Sequence, residues 1–220
     1  ADEGRITLLN SKNPVRLEGQ KTIGFEAIHD LGWAVPDWIV VPVGNAGNVS
    51  AIGKGLREWL SLGILDKKPR LAGVQAEAAD PFYRSWRTGF SERVTRVALD
   101  TAASAIRIGA PVSYPKARRE IEAFGGVVES VTEPELLDAF ALANRHGLAI
   151  CPNSAVALAG AAKLRRDGVI RKDDLVVVVA TAHALKFSGT MAAYHRGAGR
   201  LANPPRRLPA TLDAVRAALV

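Results

Sequence analysis

Short apolar, β-branched runs alternate along this chain with longer segments in which apolar residues recur every three to four positions. The first pattern belongs to strands covered on both faces, the second to amphipathic helices. Strands are expected at residues 38–43, 70–76, 127–131 and 175–180, the last being the most apolar, with shorter ones at 6–9 and 148–151. A helix is expected over 15–31, where Leu17, Phe25, Ile28 and Leu31 form a rough stripe. Gly19 and Gly24 interrupt that helix and mark close packing, and Gly32 ends it. A second helix starts beside Gly47 and carries Val49, Ile52, Leu56 and Leu60. Residues 81–89 read as a helical turn, and 115–124 as a helix opened by proline and closed by Gly125-Gly126. Thr132-Glu133-Pro134-Glu135 has capping-box spacing, so a helix runs from there to about His146. Helices follow at 154–166 and 211–219, whereas 91–107 has no assignable period. The alternation predicts an α/β fold, a parallel sheet with helices on both faces and ligands at the carboxyl ends of its strands.

At one such end the chain reads Pro42-Val43-Gly44-Asn45-Ala46-Gly47-Asn48. Pro42 has no N–H to donate, so regular pairing ends near it. Gly44 and Gly47 permit backbone conformations that a side chain forbids and let the chain approach a bound group closely. The helix that follows points its free N–H groups and positive dipole end into the turn, which suits a phosphate. An ordinary tight strand-to-helix turn has the same residues, and the pattern alone leaves both readings open. Thr181 ends the late strand and faces the same region of the predicted sheet.

With 220 residues, 48% of them hydrophobic and 23% charged, the chain has the balance of a folded globular protein rather than a disordered one. No apolar run is long enough to span a bilayer, and no membrane partner is expected. Cys151 is the single cysteine, which excludes a disulfide within the chain and fits a reducing, cytoplasmic setting. No histidine and carboxylate cluster has metal-ligand spacing, so no metal is expected. A net charge of +7 brings nucleic acid into question, but the arginines are scattered. Only Phe82-Tyr83-Arg84-Ser85-Trp86-Arg87 interleaves aromatics with arginines, and it reads as a helix with aromatics inward; no nucleic-acid partner is expected.

Four stretches carry further information when taken together: Asn10-Ser11 with Asn13-Pro14 and Arg16-Leu17-Glu18-Gly19-Gln20-Lys21-Thr22; Gly44-Asn45-Ala46-Gly47-Asn48; Ser104-Ala105-Ile106-Arg107-Ile108-Gly109; and Thr181-Ala182-His183-Ala184-Leu185-Lys186-Phe187. As a set they resemble the threonine synthases, pyridoxal 5'-phosphate enzymes of fold type II; Cys151-Pro152 and Asn203-Pro204-Pro205 resemble the plant-like branch. The resemblance implies the parallel-sheet large domain of the fold type II (tryptophan synthase β-like) enzymes. It implies conversion of O-phospho-L-homoserine and water to L-threonine and phosphate. Residues matching the cofactor-phosphate turn are Gly44, Asn45, Ala46, Gly47 and Asn48, and Thr181 matches the hydroxyl that bonds the pyridine nitrogen. Asn10, Ser11 and Arg16, with Asn48 assisting, match the residues that bind the substrate phosphate. A guanidinium fork suits phosphate oxygens; the plain alternative for Arg16 is a surface ion pair with Glu18 or Glu26. Lys21, Lys186 and His183 lie inside the motifs, but a solvated or packed lysine and a hydrogen-bonded strand-end histidine are the preferred readings. His29, His146 and His195 read as isolated surface groups, and Cys151 as a small buried hydrophobe.

One departure stands out. The family's cofactor lysine sits in a Ser-Phe-Lys-Asp-like motif in its N-terminal half, and this sequence has no such motif. The expectation is therefore a C-terminal portion of the catalytic domain: residues 1–14 a remnant of the small domain and its loop, 15–220 large domain, homodimeric when complete. Another fold type II lyase, such as a threonine or serine dehydratase, and a non-catalytic anion-binding remnant are the alternatives.

Overall fold

The computed structural model describes residues 9–10 and 13–219. The strand expected at 6–9 lies outside them but for Leu9, which is not in a strand. Among the described residues four parallel strands form one sheet: β1 (Trp38–Pro42), β2 (Arg70–Ala76), β3 (Val127–Val131) and β4 (Val176–Val178), in the order β3-β2-β1-β4. Val40 of β1 is level with Ala72 on one side and Val178 on the other.

Alternation along β1 divides the core between the two faces. Ile39 and Val41 pack with Ile28 of α2 (Thr22–Asp30), Val49, Ile52 and Leu56 of α3 (Gly47–Ser61), and Ile121 of α5 (Tyr114–Ala123). Trp38 and Val40 pack on the opposite face with Leu136 of α6 (Glu133–Arg145) and with Val156 and Leu164 of α7 (Pro152–Arg166). Helix α7 rides directly on the sheet because Gly160 has no side chain: a Cβ there would stand 2.5 Å from both γ-carbons of Val74. The capping box is present at α6, with the Thr132 side chain accepting from the Glu135 N–H and the Glu135 carboxylate accepting from the Thr132 N–H. Caps of this kind stabilise a helix by about 1 kcal/mol.

Departures from expectation are local. Residues 15–31 form two helices, α1 (Val15–Gln20) and α2, with a break at Lys21. The Lys21 ammonium reaches the Glu58 carboxylate of α3 at 2.8 Å, and α1 and α2 each pack separately on α3. Gly24 is packed as expected, since a Cβ would lie 3.3 Å from Ile52, whereas Gly19 borders open space. Strand β4 is shorter than expected and only half-buried despite its apolar sequence, because it is the sheet's edge and has β1 as its one neighbour. Residues 148–151 contribute only a single antiparallel bridge, Ile150 to His183. Residues 91–107 hold no regular element beyond a 3₁₀ turn at Ser104–Ile106. The helical turn at 81–89 is α4 (Pro81–Arg87); α8 (Ser188–Arg196) has no counterpart in the sequence reading, and α9 spans Leu212–Ala218 behind a Thr211 cap.

Candidate functional site

Where β1 ends and α3 begins, the chain forms one wall of a cleft with Pro42, Gly44, Asn45, Ala46, Gly47 and Asn48. Asn13, Arg16, Leu17 and Gln20 supply another part of its lining, and Ala105 and Ile106 complete it. The turn is built differently from the expectation. Neither glycine takes the left-handed conformation; Ala46 does, at φ 61 and ψ 19. A β-carbon there costs roughly 1–2 kcal/mol. The conformation is held by Ser50, whose hydroxyl donates to the Ala46 carbonyl at 2.7 Å, and by complete burial of Ala46. Gly44 serves close approach instead: a Cβ would meet the Ile106 Cα at 2.9 Å.

Ala46 is the N-cap of α3 and offers no side-chain acceptor. The first N–H groups of this fifteen-residue helix therefore have neither an intrahelical nor a side-chain cap, and they open at the cleft with the positive end of the dipole. Asn45 supports the turn from behind: its side-chain oxygen accepts from the Val112 N–H at 3.3 Å and its carbonyl from the Ser113 N–H at 3.0 Å. The Asn48 amide donates to the Pro42 carbonyl at 3.4 Å, closing the turn onto the strand end.

Arg16, singled out in the sequence, lines the same cleft as the turn. Asn10 does not line it; Asn10 is exposed, and its carbonyl accepts from the Asn13 N–H at 3.0 Å. Ser11 lies outside the described residues. Asn13 and Gln20 stand in the motif but were not counted among the site residues; the Asn13 side chain accepts from the Val15 N–H at 2.9 Å at the start of α1. Gln20 is four residues beyond Arg16, a spacing that puts both on one helical face and was readable.

Thr181 is not part of this cleft lining but is joined to it through the first turn of α7. The Ala105 N–H, on the cleft, donates to the Asn153 side chain at 3.1 Å, and the Asn153 amide reaches Cys151 Sγ at 3.6 Å. Cys151 caps α7, and its sulfur lies 3.2 Å from Ser154 Oγ. Ser154 Oγ in turn accepts from the Thr181 N–H at 2.8 Å and lies 3.1 Å from Thr181 Oγ1. Burial opposes ionisation of the Cys151 thiol, but the bonds that the Ser154 hydroxyl and N–H, Asn153 and Thr181 can give the ionised sulfur outweigh it and hold the thiol below its usual range.

The remaining motif residues have structural partners. Glu58 and then Glu18 hold the Lys21 ammonium above the usual lysine range, so it is a poor nucleophile. Glu18 itself is pulled down to about 2 by Lys54 and then Lys21. Lys186 is exposed on the 3₁₀ turn Ala184–Phe187, which the His183 ring caps by accepting from the Leu185 N–H at 3.1 Å. His29 and His146 are exposed, but His195 is half-buried and its ring accepts from the Asn203 N–H.

Comparison with known proteins fits this geometry. The family model of the pyridoxal-phosphate dependent enzymes matches residues 1–182. Threonine synthase 2, chloroplastic, of Arabidopsis thaliana is 45% identical over 216 residues, covering 96% of this chain and 42% of that protein. The threonine synthase of Methanocaldococcus jannaschii is 46% identical over 187 residues, 84% of this chain and 46% of the relative. The chain thus spans about half the length of the curated relatives it matches. Among solved structures, threonine synthase from Escherichia coli superposes with a TM-score of 0.69 over 96% of this chain and 50% of that one; at 22% identity this is a likeness of fold.

Proposed function

The chain belongs to the pyridoxal-phosphate dependent enzymes, and from that membership we propose that it is the C-terminal portion of a threonine synthase. The intact polypeptide converts O-phospho-L-homoserine and water to L-threonine and phosphate. One observation carries this reading: the uncapped start of α3 and Arg16 line a single cleft. A reaction with one phosphate on the cofactor and another on the substrate needs two anion sites side by side.

Pyridoxal phosphate suits the residues present. The N–H groups at the start of α3 have no side-chain cap among the described residues, as a phosphate site needs. Among the described residues a Cβ on Gly47 would have only the Gln20 side-chain oxygen, at 3.7 Å, within reach, so these leave space at the turn. Gly44, Asn45, Ala46, Gly47 and Asn48 would hold the cofactor phosphate and the Thr181 hydroxyl its ring nitrogen. When bound, the cofactor supplies an electron sink for negative charge developing on the substrate.

Arg16, with Asn10, Ser11 and Asn48, binds the substrate phosphate in this reading. A guanidinium stays charged at every working pH and engages two oxygens at once, so it orients the departing phosphate as well as neutralising it. The start of α3 keeps the cofactor phosphate fixed by dipole and N–H donors while the substrate phosphate leaves. The lysine that works on the substrate protons belongs to the rest of the polypeptide, because Lys21 is tied to carboxylates and Lys186 is exposed on its 3₁₀ turn. Residues 15–220 belong to the large domain, and the intact enzyme is a homodimer of a reducing, cytoplasm-like compartment. No helix among the described residues is long and apolar enough to cross a membrane.

The complete polypeptide given O-phospho-L-homoserine is expected to release phosphate and threonine in equal amounts. Phosphate without threonine, or a 2-oxo acid and ammonia from threonine or serine, overturns the assignment in favour of another lyase of the same fold.

A further inference from the structure

The hydrogen bonds behind Thr181 take a direction when donors are counted and the shorter contacts are preferred. Cys151 and Ser154 are buried, at 0% and 1% exposure, whereas Thr181 is exposed. Cys151 Sγ accepts from the Ser154 N–H at 3.4 Å and from the Asn153 amide at 3.6 Å. With both N–H groups pointing at the sulfur, its own proton goes to the nearer of two oxygens, Ser154 Oγ at 3.2 Å rather than Thr181 Oγ1 at 3.9 Å. Ser154 Oγ already accepts the Thr181 N–H at 2.8 Å, so its acceptor capacity is filled and its proton goes to Thr181 Oγ1 at 3.1 Å. Thr181 Oγ1 then receives one proton from inside the protein and has its own to give outward.

We propose that Ser154 is a positioning residue for Thr181: backed by Cys151, it fixes the threonine backbone and turns the hydroxyl into an outward donor that accommodates only an acceptor, a ring nitrogen without a proton. This rests on the cofactor reading given above and deepens it. A threonine hydroxyl alone both donates and accepts, and tolerates either protonation state of a ring nitrogen. The relay of thiol, serine and threonine removes that ambivalence, since reversing it exchanges the 3.2 Å contact of the thiol with Ser154 Oγ for the 3.9 Å contact with Thr181 Oγ1, a weaker bond. Ser154 touches no ligand in this scheme; it acts through Thr181.

The test uses the complete polypeptide with pyridoxal phosphate labelled with ¹⁵N in the ring, observed by NMR. In the unaltered protein the ring nitrogen resonates as an unprotonated, hydrogen-bonded nitrogen across the pH range of activity. Ser154→Ala moves that resonance downfield, toward a nitrogen without a donor, while cofactor uptake persists because the turn at α3 is untouched. It lowers kcat about tenfold, the scale of one lost oriented hydrogen bond, with KM for O-phospho-L-homoserine unchanged. Ser154→Thr, which keeps the hydroxyl, restores both. An unchanged ring resonance in Ser154→Ala overturns the proposal and leaves the cofactor reading standing. Absence of any cofactor uptake by the unaltered protein overturns the cofactor reading, and the proposal falls with it. Should Ser154→Ala fail to fold, Cys151→Ala removes the first donor and leaves both hydroxyls; a smaller shift in the same direction supports the relay, and no shift overturns it.

Discussion

Gly44 and Ile106 meet backbone to backbone: the glycine position is so close to the 3₁₀ turn that an added β-carbon would lie 2.9 Å from the Ile106 Cα. The strand-to-helix turn and the loop that faces it across the cleft are therefore set by one contact. Because the neighbour is main chain rather than a flexible side-chain tip, Gly44→Ala must displace either the turn or residues 104–106. We expect it to weaken pyridoxal phosphate binding by at least about tenfold, the scale of one lost hydrogen bond at an anion site. Titration of cofactor fluorescence checks this, and the far-ultraviolet circular dichroism stays that of the parent.

Arg16→Ala is expected to act on the substrate and not on the cofactor. Loss of charge-assisted bonds to a phosphate costs about 1.5–3 kcal/mol, or about 10- to 150-fold in KM. Arg16→Lys recovers only part, since an ammonium cannot bridge two oxygens. Steady-state kinetics on O-phospho-L-homoserine, beside an unaltered cofactor titration, separates the two effects; equal losses in both would show that Arg16 serves the cofactor instead.

Gly160→Ala tests how closely α7 must lie on the sheet. The new methyl group would stand 2.5 Å from two carbons of Val74, a buried strand residue with no room to yield. Overpacking of this kind costs about 1–3 kcal/mol. Chemical denaturation should show a lower midpoint with an unchanged slope.

Asp37 gives the chain an acid limb. Its carboxylate pairs with Lys67 at 2.6 Å and accepts from the Leu175 N–H at 2.8 Å, and these, Lys67 first, hold it below the usual carboxylate range. A depressed folded value means the stabilisation is complete above about pH 4, the unfolded value, and is lost as pH falls through the folded one. Asp37→Asn should flatten that part of the stability-versus-pH curve. Because the pair is partly exposed, the effect should shrink in 1 M salt.

What could be read from sequence follows from where the determining contacts lie. Residues 70–76 and 127–131 and the capping box at Thr132 are specified by neighbours within a few positions, and the structure repeats them residue for residue. The turn at Gly44 and the role of Arg16 as a lining residue were legible because the motif is contiguous. By contrast, the break at Lys21 coincides with a pairing to the distant Glu58, and the edge position of β4 is set by a strand order that no local pattern encodes. Helix α8 escaped notice because it has little apolar stripe of its own; it is fastened by Tyr194, whose hydroxyl donates to Asp138 at 2.6 Å. Ala46 in the left-handed conformation could not be foreseen either, since two glycines flank it and sequence alone favours them for that geometry.

The placement of β1 between β2 and β4 also sets a timetable. Asp37 and Leu175, which join at the start of that pairing, are 138 residues apart. At the usual synthesis speed of about 5–20 residues per second, the central strand emerges about 7–30 s before its second neighbour exists. During that interval the nascent sheet carries an open edge at the fully buried strand β1, the kind of surface that holdase chaperones cover. The architecture that gathers the site at one end of the sheet therefore leaves its centre unsealed until the fourth strand has been made.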